Sequence, residues 1–225
     1  MSSISNSSSG SSSNSTKDLI ERLNNRNIIS CAIGLSKIKG NFISREFCHA
    51  SLFLYDQNSE DDLEVQEVEG ILVEYGDYYP DMSKEESNKV KDKEVIYHYN
   101  EKGGLRYYGC NKEHFIKEFS DIGYIDMSIQ ETRRKSFKYF MEQIAPTTKD
   151  TWTRAKYKVN ITNGFIGKAN HHCQIFVAEA LKILKPNFSN KDINLIDNSY
   201  MSKGKKSDIL PYYIKIVLDE LNKNK

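Results

Sequence analysis

Few of the features that usually announce a function are present in this chain. Its four cysteines (Cys31, Cys48, Cys110, Cys173) are scattered with no CxxC spacing. That argues against a structural zinc site and against a disulfide framework, and it fits free thiols in a reducing compartment, the cytoplasm or nucleus. No apolar run approaches the ~20 residues that span a bilayer. The N-terminus has no basic stretch leading into an apolar one, so no secretory signal is expected. Charge of one sign is also missing: 32 basic residues balance 31 acidic ones, for a formal net charge of +1. Such a balance gives no bulk electrostatic case for nucleic acid or an anionic membrane surface as partner. The glycines form no phosphate-cradling motif, and no cofactor is implied.

What remains is enough apolar residue, 38% of the chain, to bury one substantial core. Residues 1–16 are nearly all Ser, Asn and Gly and have no apolar face, so a disordered tail is expected there and a single α+β domain over 17–225. A short helix or lead-in falls near Asp18–Leu23. Ile28 to Ile38 reads as a strand, with Cys31, Ile33 and Leu35 on one face. In Phe47 to Tyr55 alternation puts Phe47, His49, Ser51, Phe53 and Tyr55 on one side and Cys48, Ala50, Leu52 and Leu54 on the other. Both sides are largely apolar, which marks a central strand covered on both faces.

A third strand spans Val65 to Tyr75, and Pro80 to Asp92 reads as a loop. Val95 to Tyr99 and Leu105 to Tyr108 suggest a hairpin. Lys112 to Phe119 reads as a helix, Tyr124 to Ile129 as a strand, Thr132 to Ile144 as a helix ended by Pro146, and Tyr157 to Ile161 as a short strand. Phe176, Val177, Ala180, Leu181 and Leu184 form the stripe of a helix that Pro186 stops, and Cys173 extends that stripe by one turn toward the sheet. A last helix carries Leu210, Ile214, Val217 and Leu221, with Ser207 or Asp208 as its cap.

Cys173 is the residue with most chemistry in it. A thiol at a helix N-terminus faces unpaired N–H groups and the positive end of the helix dipole, which favour thiolate. His49, on the central strand, would complete a nucleophile–base pair, and the Cys173 backbone N–H would form part of an oxyanion hole. Glu74 and Tyr75 are the candidates to orient the imidazole; pleat alternation lets only one of them share the face of His49. Gln174 and Asn170 are supporting candidates, although Asn170 better suits turn formation. His171 and His172 are too close in sequence to approach the sulfur from the sheet side and are expected to shape the turn or the pocket rim. His98 lies on a separate strand within reach of the site, and His114 on a polar helix. Tyr78-Tyr79 and Tyr107-Tyr108 could line a groove, but half-buried strand aromatics is the stronger reading of them. His171-His172-Cys173 is a poor metal site because adjacent residues rarely present one ion with good geometry; a zinc would need His49 or His98 as well.

Two segments together, Cys48-His49-Ala50-Ser51-Leu52 and, much later, an Asn-containing turn into Cys173-Gln174-Ile175-Phe176, resemble the circularly permuted papain-like (NlpC-type) superfamily, which includes PPPDE thiol peptidases and lecithin retinol acyltransferase-like proteins. Histidine precedes cysteine here, as permutation would give. The resemblance covers His49–Tyr75 and Asn170–Leu184, and residues 80–165 lie outside it. It implies an antiparallel sheet packed by helices, Cys173 as nucleophile, His49 as base, and peptidase or isopeptidase activity on a peptide or protein. Asn commonly precedes the cysteine in the family, where this chain has His172. The acyltransferase branch usually shows Asn-Cys-Glu-His, from which Gln174-Ile175 departs, so acyl transfer or hydrolysis on lipids is the weaker implication. A scaffold retained only for binding is the alternative.

Overall fold

The computed structural model describes residues 21–37, 48–56, 68–77, 98–99, 104–144, 150–158, 161–162, 165–166, 171–196 and 210–223, with 98–99, 161–162 and 165–166 described in backbone only. The expected tail, the loop from Pro80 to Asp92, Tyr78, Tyr79, Asn170, Ser207 and Asp208 lie outside these residues.

One antiparallel sheet organises the chain. Its strands are β1 (Ser30–Lys37), β2 (Cys48–Tyr55), β3 (Glu69–Tyr75), β4 (His98–Tyr99), β5 (Leu105–Asn111), β6 (Gly123–Ser128) and β9 (Ile193–Leu195). They lie in the order β4-β5-β3-β2-β1-β6-β9, so the histidine-bearing β2 is the middle strand of seven. The sequence reading of a central strand follows from its composition, and the burial agrees: seven of the eight β2 residues are buried, His49 being the exception. A separate two-stranded antiparallel sheet pairs β7 (Ile161–Thr162) with β8 (Phe165–Ile166).

Period-two alternation sorts the sheet's side chains into two cores. Cys31, Ile33, Leu35, Cys48, Ala50, Leu52, Leu54, Ile71, Val73 and Tyr75 face one side. There they meet helix α3 (Cys173–Leu184) through Phe176, Val177, Ala180, Leu181 and Leu184. Burying each such Leu, Ile or Phe contributes about 1.5–3 kcal/mol. Helix α4 (Tyr212–Lys223) begins just after Pro211 and packs on α3 with Ile214, Val217 and Leu218. Ala32, Phe53, Tyr55, Leu72, Tyr108 and Cys110 face the other side, covered by Phe115 and Phe119 at and beside helix α1 (Lys112–Glu118). Lys112, on a helix that reads as polar, is buried with its Nζ 2.5 Å from Asp126, which also accepts from the Tyr55 hydroxyl.

Two boundaries differ from the sequence reading. Thr132 to Ile144 is not one helix: a 3-10 turn at Glu131–Arg133 is followed by extended residues, and helix α2 begins at Phe137. The break lets Lys135 accept from the Ile28 N–H and Phe137 donate to Arg26, while Ser136 Oγ takes the Tyr139 N–H. The expected strand Tyr157–Ile161 differs in its first half: Tyr157 closes a 3-10 turn (Arg154–Lys156), Lys158 makes an isolated antiparallel bridge with His171, and β7 begins at Ile161. β4 pairs antiparallel with β5, with His98 opposite Tyr107; the connection between them lies outside the described residues.

Gly104 fixes where the segment carrying Trp152 and Thr153 approaches the sheet. Its φ is +86°, and a Cβ there would lie 2.5 Å from the Arg154 nitrogen and 2.6 Å from the Thr153 carbonyl carbon. Those are backbone atoms, and a left-handed φ disfavours any side chain. Gly104→Ala is expected to lower stability by about 1–3 kcal/mol, measured by denaturant unfolding; an unchanged midpoint would show that the close approach is not required.

Candidate active site

Helix α3 begins where it does because His172 is extended (φ −139°, ψ 177°) and the apolar stripe starts at the next residue; it ends because Lys185 turns left-handed (φ 49°) ahead of Pro186. Cys173 therefore occupies the first helical position, where backbone N–H groups have no intrahelical acceptor. Gln174 locks this end of the helix to the sheet: its Nε2 donates to the Cys48 carbonyl at 2.9 Å.

Pairing between β2 and β3 stops at Leu52 opposite Val73, although β2 runs back to Cys48 and β3 runs on to Tyr75. Past that point the Ala50 N–H is available, and it donates to the Cys173 sulfur. Here the two faces of the sheet meet. His49, Ser51, Glu74 and Arg106 belong by alternation to the face of Phe53 and Leu72, whereas Cys173 arrives with the helix on the other. The His49 and Cys173 side chains hydrogen-bond to each other across this opening.

Behind His49 stands a fully partnered carboxylate. Glu74 Oε1 accepts from His49 Nε2 at 3.2 Å and from Ser51 Oγ at 2.7 Å, and its Oε2 accepts from Arg106 Nε at 2.6 Å and Nη2 at 2.5 Å. With Nε2 engaged by Glu74, Nδ1 is the ring atom that faces the sulfur. Of the two residues expected to compete for this role, Glu74 stands behind the ring. Tyr75 points to the opposite face, where its hydroxyl donates to the Thr153 carbonyl at 2.9 Å and lies 2.8 Å from His171 Nδ1.

The electrostatics follow from these contacts. Burial pushes the Cys173 thiol up, but the His49 charge, hydrogen bonds from His172 and His49, and the Ala50 N–H outweigh it and bring the sulfur down to about 5. Burial lowers His49, and the Cys173 charge and its hydrogen bond, with Glu74 behind, raise it to about 10. Burial raises Glu74, while Arg106, His49 and Ser51 hold it at about 2. These directions favour a thiolate–imidazolium pair set on a carboxylate–guanidinium pair. The other three cysteines are buried free thiols, and burial pushes Cys31 and Cys110 up.

Several site residues escaped the sequence reading. His172, expected at the rim, is buried and hydrogen-bonds to the Cys173 sulfur; the extended backbone at 172 lets an adjacent side chain fold back onto it. Tyr157 reaches the same sulfur and packs edge-on against Tyr75, centroids 5.2 Å apart. Trp152 stacks on His171 at 4.5 Å, so the aromatic wall of the site comes from 152–157 rather than from Tyr107, which is half-buried, or Tyr108, which is buried on the far face. Arg106 and Ser51 carried no local signal; only strand register brings them to Glu74. His114 is half-buried beside Glu118 at 3.9 Å.

Among the described residues no group of three or more His, Cys, Asp or Glu is arranged to hold a metal ion, and no helix is long and apolar enough to cross a membrane. No protein-family model matches the chain, and no curated protein or solved structure matches it either.

The Glu74 pKa fixes a sign for pH-dependent stability. A carboxyl depressed on folding stabilises the native state above its unfolded value of about 4.3 and loses that contribution as pH falls through the folded value. Glu74→Gln is therefore expected to cost about 3 kcal/mol at neutral pH, with the deficit closing as pH drops from about 4 toward 2. Denaturant unfolding across that range reads it; a deficit independent of pH would mean that the carboxylate charge contributes nothing.

Proposed function

We propose that this chain is a thiol hydrolase of the circularly permuted papain-like type, acting on an amide or isopeptide carbonyl of a peptide or protein. The observation that carries the reading is the contact series Cys173–His49–Glu74, assembled from a late helix and two adjacent strands with the charges of an activated nucleophile. The order of elements agrees, with a histidine on the central strand preceding a cysteine at the head of the helix packed on it.

The chemistry follows from the positions. The Cys173 thiolate attacks the carbonyl carbon, forming a C–S bond as the carbonyl electrons move to oxygen. The N–H groups at the start of α3 face the developing oxyanion. His49 gives its proton to the leaving nitrogen as the C–N bond breaks, and then takes a proton from the water that cleaves the thioester. Glu74 neither gains nor loses a proton; it holds the ring with Nδ1 toward sulfur.

One observation favours the alternative of a binding scaffold without turnover: Cys173 is only 3% exposed. Its surroundings are nonetheless polar donors rather than hydrocarbon, which is the environment of a reactive thiol and not of an inert one.

Release of amine from a panel of peptide and isopeptide substrates, with mass spectrometry for an acyl adduct on Cys173, tests the proposal. Cys173→Ala is expected to abolish turnover, and His49→Ala to reduce it by about 10²–10⁴-fold. Turnover that persists in Cys173→Ala would contradict the mechanism. The absence of both turnover and adduct across the panel would leave the scaffold reading.

A further inference from the structure

His172 sits at a helix N-cap and does not cap. Its backbone is extended as that position requires, yet its side chain makes no hydrogen bond to the first turn of α3. Ser, Thr, Asp and Asn are preferred there because their short side chains reach those N–H groups. The His172 ring is instead 1% exposed, turned back to hydrogen-bond with the Cys173 sulfur, and supported by Tyr213 of α4 at 5.8 Å between ring centroids. Its Nε2 is buried with no partner among the described residues, which leaves Nδ1 as the atom on sulfur. A buried ring nitrogen without a partner is destabilising. The sulfur it faces is also approached by His49 from β2 and by Tyr157, while the ring itself neighbours His171 and Tyr213.

We propose that His172 is a positioning residue for the nucleophile: its ring Nδ1–H donates to the Cys173 sulfur, so that the sulfur's charge and direction do not depend on His49 alone. This rests on the reading of Cys173 as an activated thiolate. The histidine accepts and releases no proton during the reaction. It acts as a fixed donor at rest, while His49 carries the proton that moves. The division explains why the position before the cysteine holds a ring rather than a capping side chain.

Iodoacetamide alkylation of Cys173, followed by peptide mass spectrometry over pH 4–10 on the full chain, tests it. His172→Phe keeps a ring against Tyr213 but has no donor; His172→Asn places an amide N–H near the Nδ1 position. In the wild type, the acid limb of the rate profile should lie well below the free-thiol value of about 8.5. His172→Phe should move the limb up by about one to two pH units, and His172→Asn should stay within about half a unit of wild type. An unmoved limb in a folded His172→Phe protein would overturn the proposal. A wild-type limb at or above about 8.5 would instead overturn the thiolate reading on which it rests. Should His172→Phe fail to fold, ¹⁵N NMR of the wild-type ring reads the same claim: a protonated Nδ1 supports it, and a protonated Nε2 with bare Nδ1 overturns it.

Discussion

A buried sulfur can hold a negative charge here only if His49 holds a positive one against it. His49 in turn depends on Glu74, and Glu74 on Arg106. The four charges alternate in sign and sum to zero. A lone ion so placed would neutralise itself by shifting its pKa. Hydrogen bonds close the remaining valences: Ser51 on the carboxylate, and the Ala50 N–H and His172 on the sulfur. Breaking any link leaves an uncompensated buried charge, which is more costly than the pair is stabilising.

The sheet exists in a form that makes this chain of charges possible. The neighbouring strands β2, β3 and β5 present His49, Glu74 and Arg106 on one face, with Glu74 directly opposite Arg106 in register. Cys173 belongs to the helix on the other face. It gains access because the β2–β3 ladder ends early, at Leu52 opposite Val73. A fully paired ladder would direct the Ala50 N–H to a strand carbonyl and close the opening. The approach of Cys173 to His49 thus sits at the place where the most regular element of the fold becomes irregular, on a scaffold otherwise packed on both sides.

Much of this is legible in sequence. Two-sided apolar alternation marked β2 as central, the 3.6-residue stripe placed Cys173 at the head of α3, and the pair of Cys173 with His49 followed from residue type and context. Pleat alternation reduced the orienting residue to Glu74 or Tyr75 but could not choose between them, because the choice depends on register between strands joined by a long connection. Arg106 and Ser51 were illegible for the same reason. Sequence adjacency keeps His172 from the sheet side of the sulfur and places it at the rim; that an extended residue before a helix can bury its ring beside the sulfur is not visible in sequence. Tyr157 was read as a strand residue; the 3-10 turn before it, which aims it at the sulfur, leaves no periodic signal in so short a segment.

The charge state of His49 is the most direct test of the account. Selective ¹⁵N or ¹³C labelling of histidine, with NMR titration of the His49 ring from pH 5 to 11, would read it. The account predicts an imidazolium protonated on both nitrogens through neutral pH, titrating near about 10, and a marked downward shift in Cys173→Ala, which removes the opposing charge. A His49 ring that is neutral at pH 7 in the wild type, or a titration unaffected by loss of the sulfur, would contradict it.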